Sequence, residues 1–471
     1  MLAILDSTKV RRTAGAVLGL LPLLLSASAW ADEAPKVIDT GDTAWMLSST
    51  ALVLLMTLPG LALFYGGLVR AKNVLNIFMQ CFIAAGAVGL LWILVGYSIA
   101  FSAGDGTYSY FGDFAKLGLA GVTMDSMTPN FATPPRQIPE YIFIMFQAMF
   151  AIITPALILG AVAERMKFSA FLAFISIWLL VVYCPLAYMV WGGGWIYKAG
   201  AIDFAGGLVV HMSSGTSALV AALMLGKRQG FGKEPMPPHS LPLCLIGAGL
   251  LWVGWFGFNA GSALSASPLA ALAFLNTSTA TSAAVMTWVA IEWITRGKPT
   301  ALGAATAAVA GLVAITPACG NVSPMGSIAV GVGVSVVCYI AVTYLKPLGG
   351  YDDSLDAFGV HGIGGAWGAL ASGLFVATYG SGIESWGQQV MVQLKGIGFT
   401  AVFAPAMSFV ILMALKFAFG SLRVSDEEEF DGLDVSEHSE SAYSMTSGSS
   451  MGGSQAGHGA EGVAALASAH H

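Results

Sequence analysis

Long apolar segments separated by short polar connections run along most of this chain, and this pattern predicts a helical membrane protein. A helix needs about 20 apolar residues to cross a bilayer. Eleven segments approach or exceed that length, at about 45–69, 77–101, 141–162, 168–190, 204–225, 241–261, 269–294, 301–318, 325–344, 356–379 and 396–419. The expected fold is an all-α integral membrane protein with eleven transmembrane helices.

The first 31 residues have the pattern of a cleaved signal peptide. Residues 9–12 carry three basic side chains, and 14–25 form an apolar stretch that is too short to span. Ala29-Trp30-Ala31 fits a cleavage site between small residues. An uncleaved first helix is the alternative. A cleaved signal would leave the mature N-terminus on the periplasmic side of a bacterial inner membrane.

The distribution of Lys and Arg indicates the orientation, because cytoplasmic loops of membrane proteins carry an excess of positive charge. With the mature N-terminus outside, the inner side would hold most of these residues: Arg70, Lys72, Arg165, Lys167, Lys227, Arg228, Lys233, Arg296, Lys298, Lys346, Lys416 and Arg423. The outer side would hold the minority: Lys36, Lys116, Arg136, Lys198 and Lys395. This bias predicts a cytoplasmic C-terminus.

The mature chain is expected to divide into a membrane domain at 32–422 and a cytoplasmic tail at 423–471. Because five helices per half is an odd number, residues about 45–225 and 241–379 would form two repeats of opposite orientation, followed by the eleventh helix. The tail begins acidic and polar and becomes low-complexity, so we expect disorder beyond about residue 444.

Two histidines fall inside apolar segments with matching contexts. His211 follows Asp203 by eight residues, and His361 follows Asp353 by the same distance. At 1.5 Å per residue, each histidine would lie about 12 Å deep, one from each face. In a hydrocarbon core about 30 Å thick, both would approach the midplane. A site at the midplane between inverted repeats is typical of transporters.

A titratable side chain at that depth is costly and usually lines a cavity. The alternative is a buried histidine that is hydrogen bonded to a neighbouring helix. The matching contexts favour a functional pair, in which neutral imidazoles donate and accept one hydrogen bond. Such a pair could take a proton from a protonated amine or line a path for a neutral molecule. Two histidines alone supply too few ligands for a metal.

Composition excludes other function classes. The chain is 56% hydrophobic and 10% charged, against about 25% charged residues in soluble domains, so it is not a soluble enzyme. No basic cluster indicates nucleic-acid binding, and no Walker A, G-x-S-x-G or H-E-x-x-H motif occurs. The five cysteines form no C-x-x-C pair, which favours buried thiols over disulfides. We expect no cofactor.

Aromatic and polar residues gather at the expected outer ends of several helices. Phe146 and Phe150 share a helix face, Trp191 ends the fourth helix and Ser262 follows the sixth. An aromatic face with a hydroxyl suits a small cation that donates hydrogen bonds, and Trp offers the best cation–π surface. An interfacial aromatic belt is the alternative. Asp203 could contact the cation or cap a helix beginning at residue 204 or 205, and the cap is favoured.

Several long motifs then indicate a family. Between residues 45 and 443 the chain contains PGLALFYGGLVRAKNVLN, ILGAVAERMKFSA, MVWGGGW, DFAGGLVVHMSSG, WFGFNAGSA, ITPACGN and FGVHGIGGAWG, in this order. With these motifs it resembles the bacterial Amt-type ammonium transporters of the Amt/Mep/Rh family. The resemblance implies eleven helices, an inverted five-plus-five repeat and a homotrimer with one pore per subunit.

The resemblance also assigns roles by matching position. Phe150 and Phe258 would be a stacked gate with Phe146 beside it, and Trp191 with Ser262 would form the external ammonium site. Rhesus-type relatives usually lack that Trp and Ser, so their presence favours the Amt branch.

Three further residues match the family motifs. Asp203 would support the external ammonium site. His211 and His361 would be the twin histidines of the pore.

The start of the tail matches as well. Arg423-Val424 and the segment GLDVSEHSESAY resemble the family's C-terminal region, which packs on the cytoplasmic face. The resemblance implies that a PII-type signalling protein docks at that face. The segment beyond Tyr443 departs from the family's shorter tails.

The expected function is ammonium transport. Ammonium would be recruited at the outer aromatic site and lose its proton, and ammonia would pass the Phe gate and the histidine-lined pore. The proton would either return outside or follow along the histidines, which would make transport electrogenic. Alternatives are an ammonium sensor with little transport, although the tail has no recognisable signalling domain, and a channel for another small neutral solute.

Overall fold

The computed structural model describes residues 38–102, 110–129 and 137–443. The predicted signal peptide and the tail beyond residue 444 lie outside the described residues. Within these ranges the regular secondary structure is helical, and β pairing is confined to isolated bridges such as the one between Met166 and Arg423.

The main helices follow the predicted segments in order. They are α1 Thr40–Leu68, α2 Ala71–Phe101, α3 Glu140–Val162, α4 Phe168–Lys198, α5 Gly207–Leu225, α6 Leu241–Gly261, α7 Pro268–Arg296, α8 Ala301–Ile315, α9 Pro324–Gly349, α10 Phe358–Gly362 continued by Ile363–Leu374, and α11 Trp386–Phe419. Two short helices follow, α12 Asp426–Asp431 and α13 Leu433–His438.

Nine helices of the described chain are long and apolar enough to cross a membrane. The other two predicted segments form α8 and α10, which are shorter. The protein is therefore a multi-pass helical membrane protein, and eleven full spans stay a prediction.

The predicted start of α11 at residue 396 is wrong, because the helix begins ten residues earlier, at Trp386. Ser385 caps it by accepting a hydrogen bond from the N–H of Gln388. The first turns carry the polar side chains of Gln388, Gln389 and Gln393, and these residues hide the helix from a hydropathy criterion.

Buried ion pairs join the helix ends at one face of the bundle. Glu164, which follows α3, contacts Arg70 at 2.8 Å and Arg228 at 3.1 Å, and Arg228 contacts Asp352 at 2.9 Å. Burial opposes ionisation of Glu164, but the charges of Arg228 and Arg70 outweigh it and lower the pKa of this carboxyl. Glu164 is therefore ionised at neutral pH, and its contribution to stability is lost only in acid.

The chain after α11 packs on this same face, which we call the tail face. A carboxylate oxygen of Glu429 accepts a hydrogen bond from the N–H of Gln229 at 2.7 Å, and Asp434 accepts one from the N–H of Asn76 at 2.9 Å. The tail thereby contacts the first turns of α2 and the connection after α5. We call the opposite end of the bundle the far face.

Replacing Arg228 by Met should lower stability by about 3–5 kcal/mol, because it leaves buried carboxylates without their shared cation. The thermal midpoint of the detergent-solubilised protein, followed by circular dichroism, measures this loss. Arg296→Met is the matched control, since the Arg296 side chain is 49% exposed and 3.8 Å from Glu292, and it should cost about 1 kcal/mol or less. Equal losses in the two variants would contradict a stabilising role for the buried ion pairs at the tail face.

Candidate functional site

A cavity of about 350 Å³ opens at the far face. Trp191, Ser262, Asp203, Phe150 and Gln147 are among its lining residues. Helices α3, α4 and α6 and the segment before α5 thus converge here, and they bring together most of the residues that the sequence predicts for an outer site.

Trp191 and Ser262 use their donor groups within the protein and leave other surfaces free for a ligand. The indole N–H of Trp191 donates to the backbone oxygen of Asp203 at 2.7 Å, so its ring remains for ligand contact. The hydroxyl of Ser262 donates to the backbone oxygen of Phe258 at 2.8 Å, and its lone pairs remain. An aromatic face beside free oxygen lone pairs suits a small cation that donates hydrogen bonds.

Gln147 adds an acceptor that the sequence reasoning missed. Its Oε1 is buried at the cavity and, within the described residues, has no hydrogen-bond partner. Gln147 lies three residues before Phe150, so both side chains belong to the same face of α3. A polar residue inside the apolar FQAMFA stretch was the signal available in the sequence.

The Asp203 carboxylate caps α5 and is not free to bind a ligand directly. Its two oxygens accept hydrogen bonds from four consecutive N–H groups, those of residues 206–209. The predicted helix start at residue 204 or 205 is wrong, because α5 begins at Gly207. Gly206 has φ +117°, and the N–H of Phe204 donates to Pro317, which keeps residues 204–206 out of the helix.

Two phenylalanine rings close the cavity on its inner side. The centroids of Phe150 and Phe258 are 4.1 Å apart, and their planes are inclined by 31°. Phe146 shares the helix face of Phe150, with ring centroids 4.9 Å apart, as the sequence predicts. However, Phe146 is fully buried and is not among the residues lining the cavity, so it backs the Phe150 ring.

The two histidines meet directly below this pair. The ring of His211 is stacked 6.0 Å from Phe258 and 5.4 Å from His361, and the two Nδ1 atoms are 3.3 Å apart. At that distance one Nδ1 donates and the other accepts, so at least one ring is neutral. Among the described residues, Nε2 of His211 has no hydrogen-bond partner.

Glycines allow the helices that carry the histidines to touch. A Cβ at Gly215 of α5 would lie 2.0 Å from the backbone nitrogen of Gly362 of α10. A Cβ at Gly365 would lie 2.8 Å from the nitrogen of Met212. Each histidine also lies in a π-helical turn at the start of its helix, a local form that is frequent at functional sites.

The space around the histidines is narrow and apolar. A void of about 10 Å³ borders both rings and is otherwise lined by apolar side chains such as Trp255 and Leu251. That volume holds about one water molecule at most. On the tail-face side, His361 also lines a cavity of about 170 Å³ that includes Asp356 and Tyr65.

The arrangement therefore consists of two cavities separated by a narrow passage, which the described residues line with the two histidines and otherwise with apolar and aromatic side chains. A small cation could bind in the far cavity, but it could not keep a hydration shell beyond the Phe pair. Across residues 38–102, 110–129 and 137–443, no group of three His, Cys, Asp or Glu residues could hold a metal.

The comparisons with known proteins agree on one family. Residues 44–443 match the model of the Ammonium Transporter Family. An ammonium transporter of Aquifex aeolicus is 45% identical over 91% of this chain and 99% of its own length. The crystal structure of Candida albicans Mep2 has a TM-score of 0.76 and 34% identity over 83% of this chain and 88% of that chain.

A second solved structure is described as a sensor Amt protein. It has a TM-score of 0.77 and 29% identity, over 84% of this chain and 98% of that chain. The same fold thus occurs in a protein described by its sensing.

Replacing Asp203 by Ala should lower stability by about 2 kcal/mol or more, because buried N–H groups at the start of α5 lose their acceptor. Thermal unfolding in detergent measures the loss. Asp39→Ala is the control, since Asp39 caps α1 with one bond, to the N–H of Asp42, at an exposed position, and it should cost about 1 kcal/mol or less. A loss no larger than that of Asp39→Ala would mean that the Asp203 cap is dispensable.

Proposed function

Because this chain belongs to the ammonium transporter family, whose members are multi-pass membrane transporters, we propose a route by which it moves its substrate. Ammonium binds in the far cavity, loses its proton there, and crosses the Phe pair and the histidines as ammonia. The observation that carries this proposal is the succession of an acceptor-lined cavity, a closed aromatic pair and a void of about 10 Å³.

Binding rests on Trp191, Ser262 and Gln147. The Trp191 ring provides a cation–π surface, and the two side-chain oxygens accept N–H bonds from ammonium. Asp203 does not contact the ion, but its carboxylate fixes the backbone that holds Trp191 and adds negative charge nearby. Phe146 backs the gate ring of Phe150.

The proposed deprotonation follows from the free-energy cost of moving an ion through the apolar passage. Transfer of an unpaired ion into an apolar site costs on the order of tens of kcal/mol by solvation alone, and the void has no room for a hydration shell. Neutral ammonia can exchange hydrogen bonds with His211 and then His361, whose imidazoles border the void. The proton either returns to the far side or follows along the histidine pair, which would make transport electrogenic.

The orientation, assembly and partners of the protein form the second part of this proposal. The far face lies outside and the tail face in the cytoplasm of a bacterial inner membrane, as the bias of Lys and Arg predicts. The chain assembles as a homotrimer with one pore per subunit and an inverted five-plus-five repeat. A PII-type protein docks at the tail face.

An ammonium sensor with little transport is the second candidate function. The structural similarity to a sensor Amt protein supports it. Its site would use the same residues of the far cavity, so binding alone does not separate the two functions. Uptake does, because a sensor binds ammonium without moving it at useful rates.

Uptake of labelled methylammonium in a transporter-deficient strain tests the proposal. We expect saturable uptake by the wild-type chain and a rise of about tenfold in half-saturation concentration for Trp191→Leu, which removes the cation–π surface. Trp293→Leu is the matched control, since Trp293 is an exposed tryptophan at the end of α7, and it should leave uptake unchanged.

Three outcomes would overturn parts of this account. Ammonium binding without uptake would favour the sensor. Equal effects of the two Trp substitutions would favour an interfacial aromatic belt. Uptake of neutral solutes that is insensitive to Trp191→Leu would favour a channel for another molecule.

A further inference from the structure

Two fully buried glutamines of α11 hold the walls of the far cavity without lining it. Gln389 and Gln393 are one helical turn apart, and neither is exposed to solvent. Buried amides need hydrogen-bond partners. Most partners of these two lie in or next to two chain segments that line the cavity, residues 201–204 and 379–381.

Gln393 pairs with both backbone groups of Ile202. Its Oε1 accepts from the N–H of Ile202 at 2.7 Å, and its Nε2 donates to the oxygen of Ile202 at 2.7 Å. The second N–H of the amide donates to the oxygen of Ala369 in α10 at 2.8 Å. Gln393 therefore joins the segment before α5 to the middle of α10.

Gln389 ties the segment before α5 to the second of these segments, residues 379–381. Its Oε1 accepts from the N–H of Gly380 at 2.7 Å, and its Nε2 donates to the oxygen of Gly200 at 3.1 Å. Gly380 and Gly200 touch, since a Cβ on Gly380 would lie 2.0 Å from the oxygen of Gly200. The amides of Gln389 and Gln393 are themselves 3.3 Å apart and complete one network.

This network ends one residue from the proposed ammonium site. Ile202 precedes Asp203, whose backbone oxygen accepts the indole N–H of Trp191 and whose carboxylate caps the helix of His211. Any shift of Ile202 moves both attachments, because they belong to the next residue of the chain.

We propose that Gln393, supported by Gln389, is a positioning residue for ammonium binding. Gln393 fixes the position and angle of the Trp191 ring in the far cavity. This inference rests on the proposed function. Position 393 requires a side chain with an NH2 donor group and one acceptor oxygen, because Leu would leave both backbone groups of Ile202 unpaired. Glu would place a carboxylate oxygen opposite the backbone oxygens of Ile202 and Ala369, where two acceptors cannot form a hydrogen bond.

The transport test compares Gln393→Leu and Gln393→Glu with Thr400→Val at matched membrane levels. Thr400 is fully buried on the same helix, and within the described residues its hydroxyl has no hydrogen-bond partner, so it is a matched control. We expect the half-saturation concentration for methylammonium to rise on the order of tenfold in both Gln393 variants. The maximal rate of uptake should stay within about twofold of wild type. Thr400→Val should change neither.

A double-substitution cycle distinguishes positioning from general destabilisation. In a Trp191→Leu background, Gln393→Leu should add little to the half-saturation concentration, because the ring that it positions is absent. The proposal would be overturned if the effects of the two substitutions on the half-saturation concentration multiplied. A lower maximal rate with an unchanged half-saturation concentration would also overturn it. Gln389→Leu removes the bonds to Gly380, Gly200 and Gln393 but keeps the pairing of Gln393 with Ile202. It tests the same network if Gln393→Leu does not reach the membrane.

Amide hydrogen exchange tests the positioning network without relying on transport. The N–H of Ile202 should exchange faster in Gln393→Leu than in wild type or Thr400→Val, because it loses its acceptor. Unchanged exchange would overturn the inference. A wild-type chain without saturable uptake would instead refute the proposed function, so the two failures are distinguishable.

Discussion

The contact between the backbones of α5 and α10 is the constraint on which the rest of the site depends. Gly215, Gly362 and Gly365 leave no room for side chains at the crossing, so the two helices meet with their main chains in contact. This approach puts His211 and His361 within 3.3 Å of each other. A Cβ at Gly215 or Gly365 would separate the helices and widen a void that holds about one water molecule.

From this crossing the site divides into parts with different chemistry. The far cavity has an aromatic face and oxygen acceptors, which suit a cation. The Phe pair and the void beyond it offer no charge and almost no volume. On the proposed route, the substrate is held as a cation on one side and admitted only as a neutral molecule on the other, so it is selected twice by physically different means.

The sequence predicted the parts that follow from local spacing. The helical rise from each aspartate predicted that the two histidines approach each other, and the place of Asp203 just before a helix favoured its role as a cap. Other features depend on contacts between distant segments. Gln393 bonds a residue 191 positions away, and nothing near it in the chain indicates that partner. The start of α11 was missed because these same glutamines make its first turns polar.

The central claim is that the substrate crosses the Phe pair without its charge. Potassium is a cation of nearly the same size as ammonium, but it has no proton to lose, so it tests this claim directly. In liposomes that contain the purified protein, the measurement is the flux of each ion after matched concentration jumps. The account predicts ammonium uptake and no potassium flux above that of empty liposomes. Potassium flux comparable to that of ammonium would contradict it.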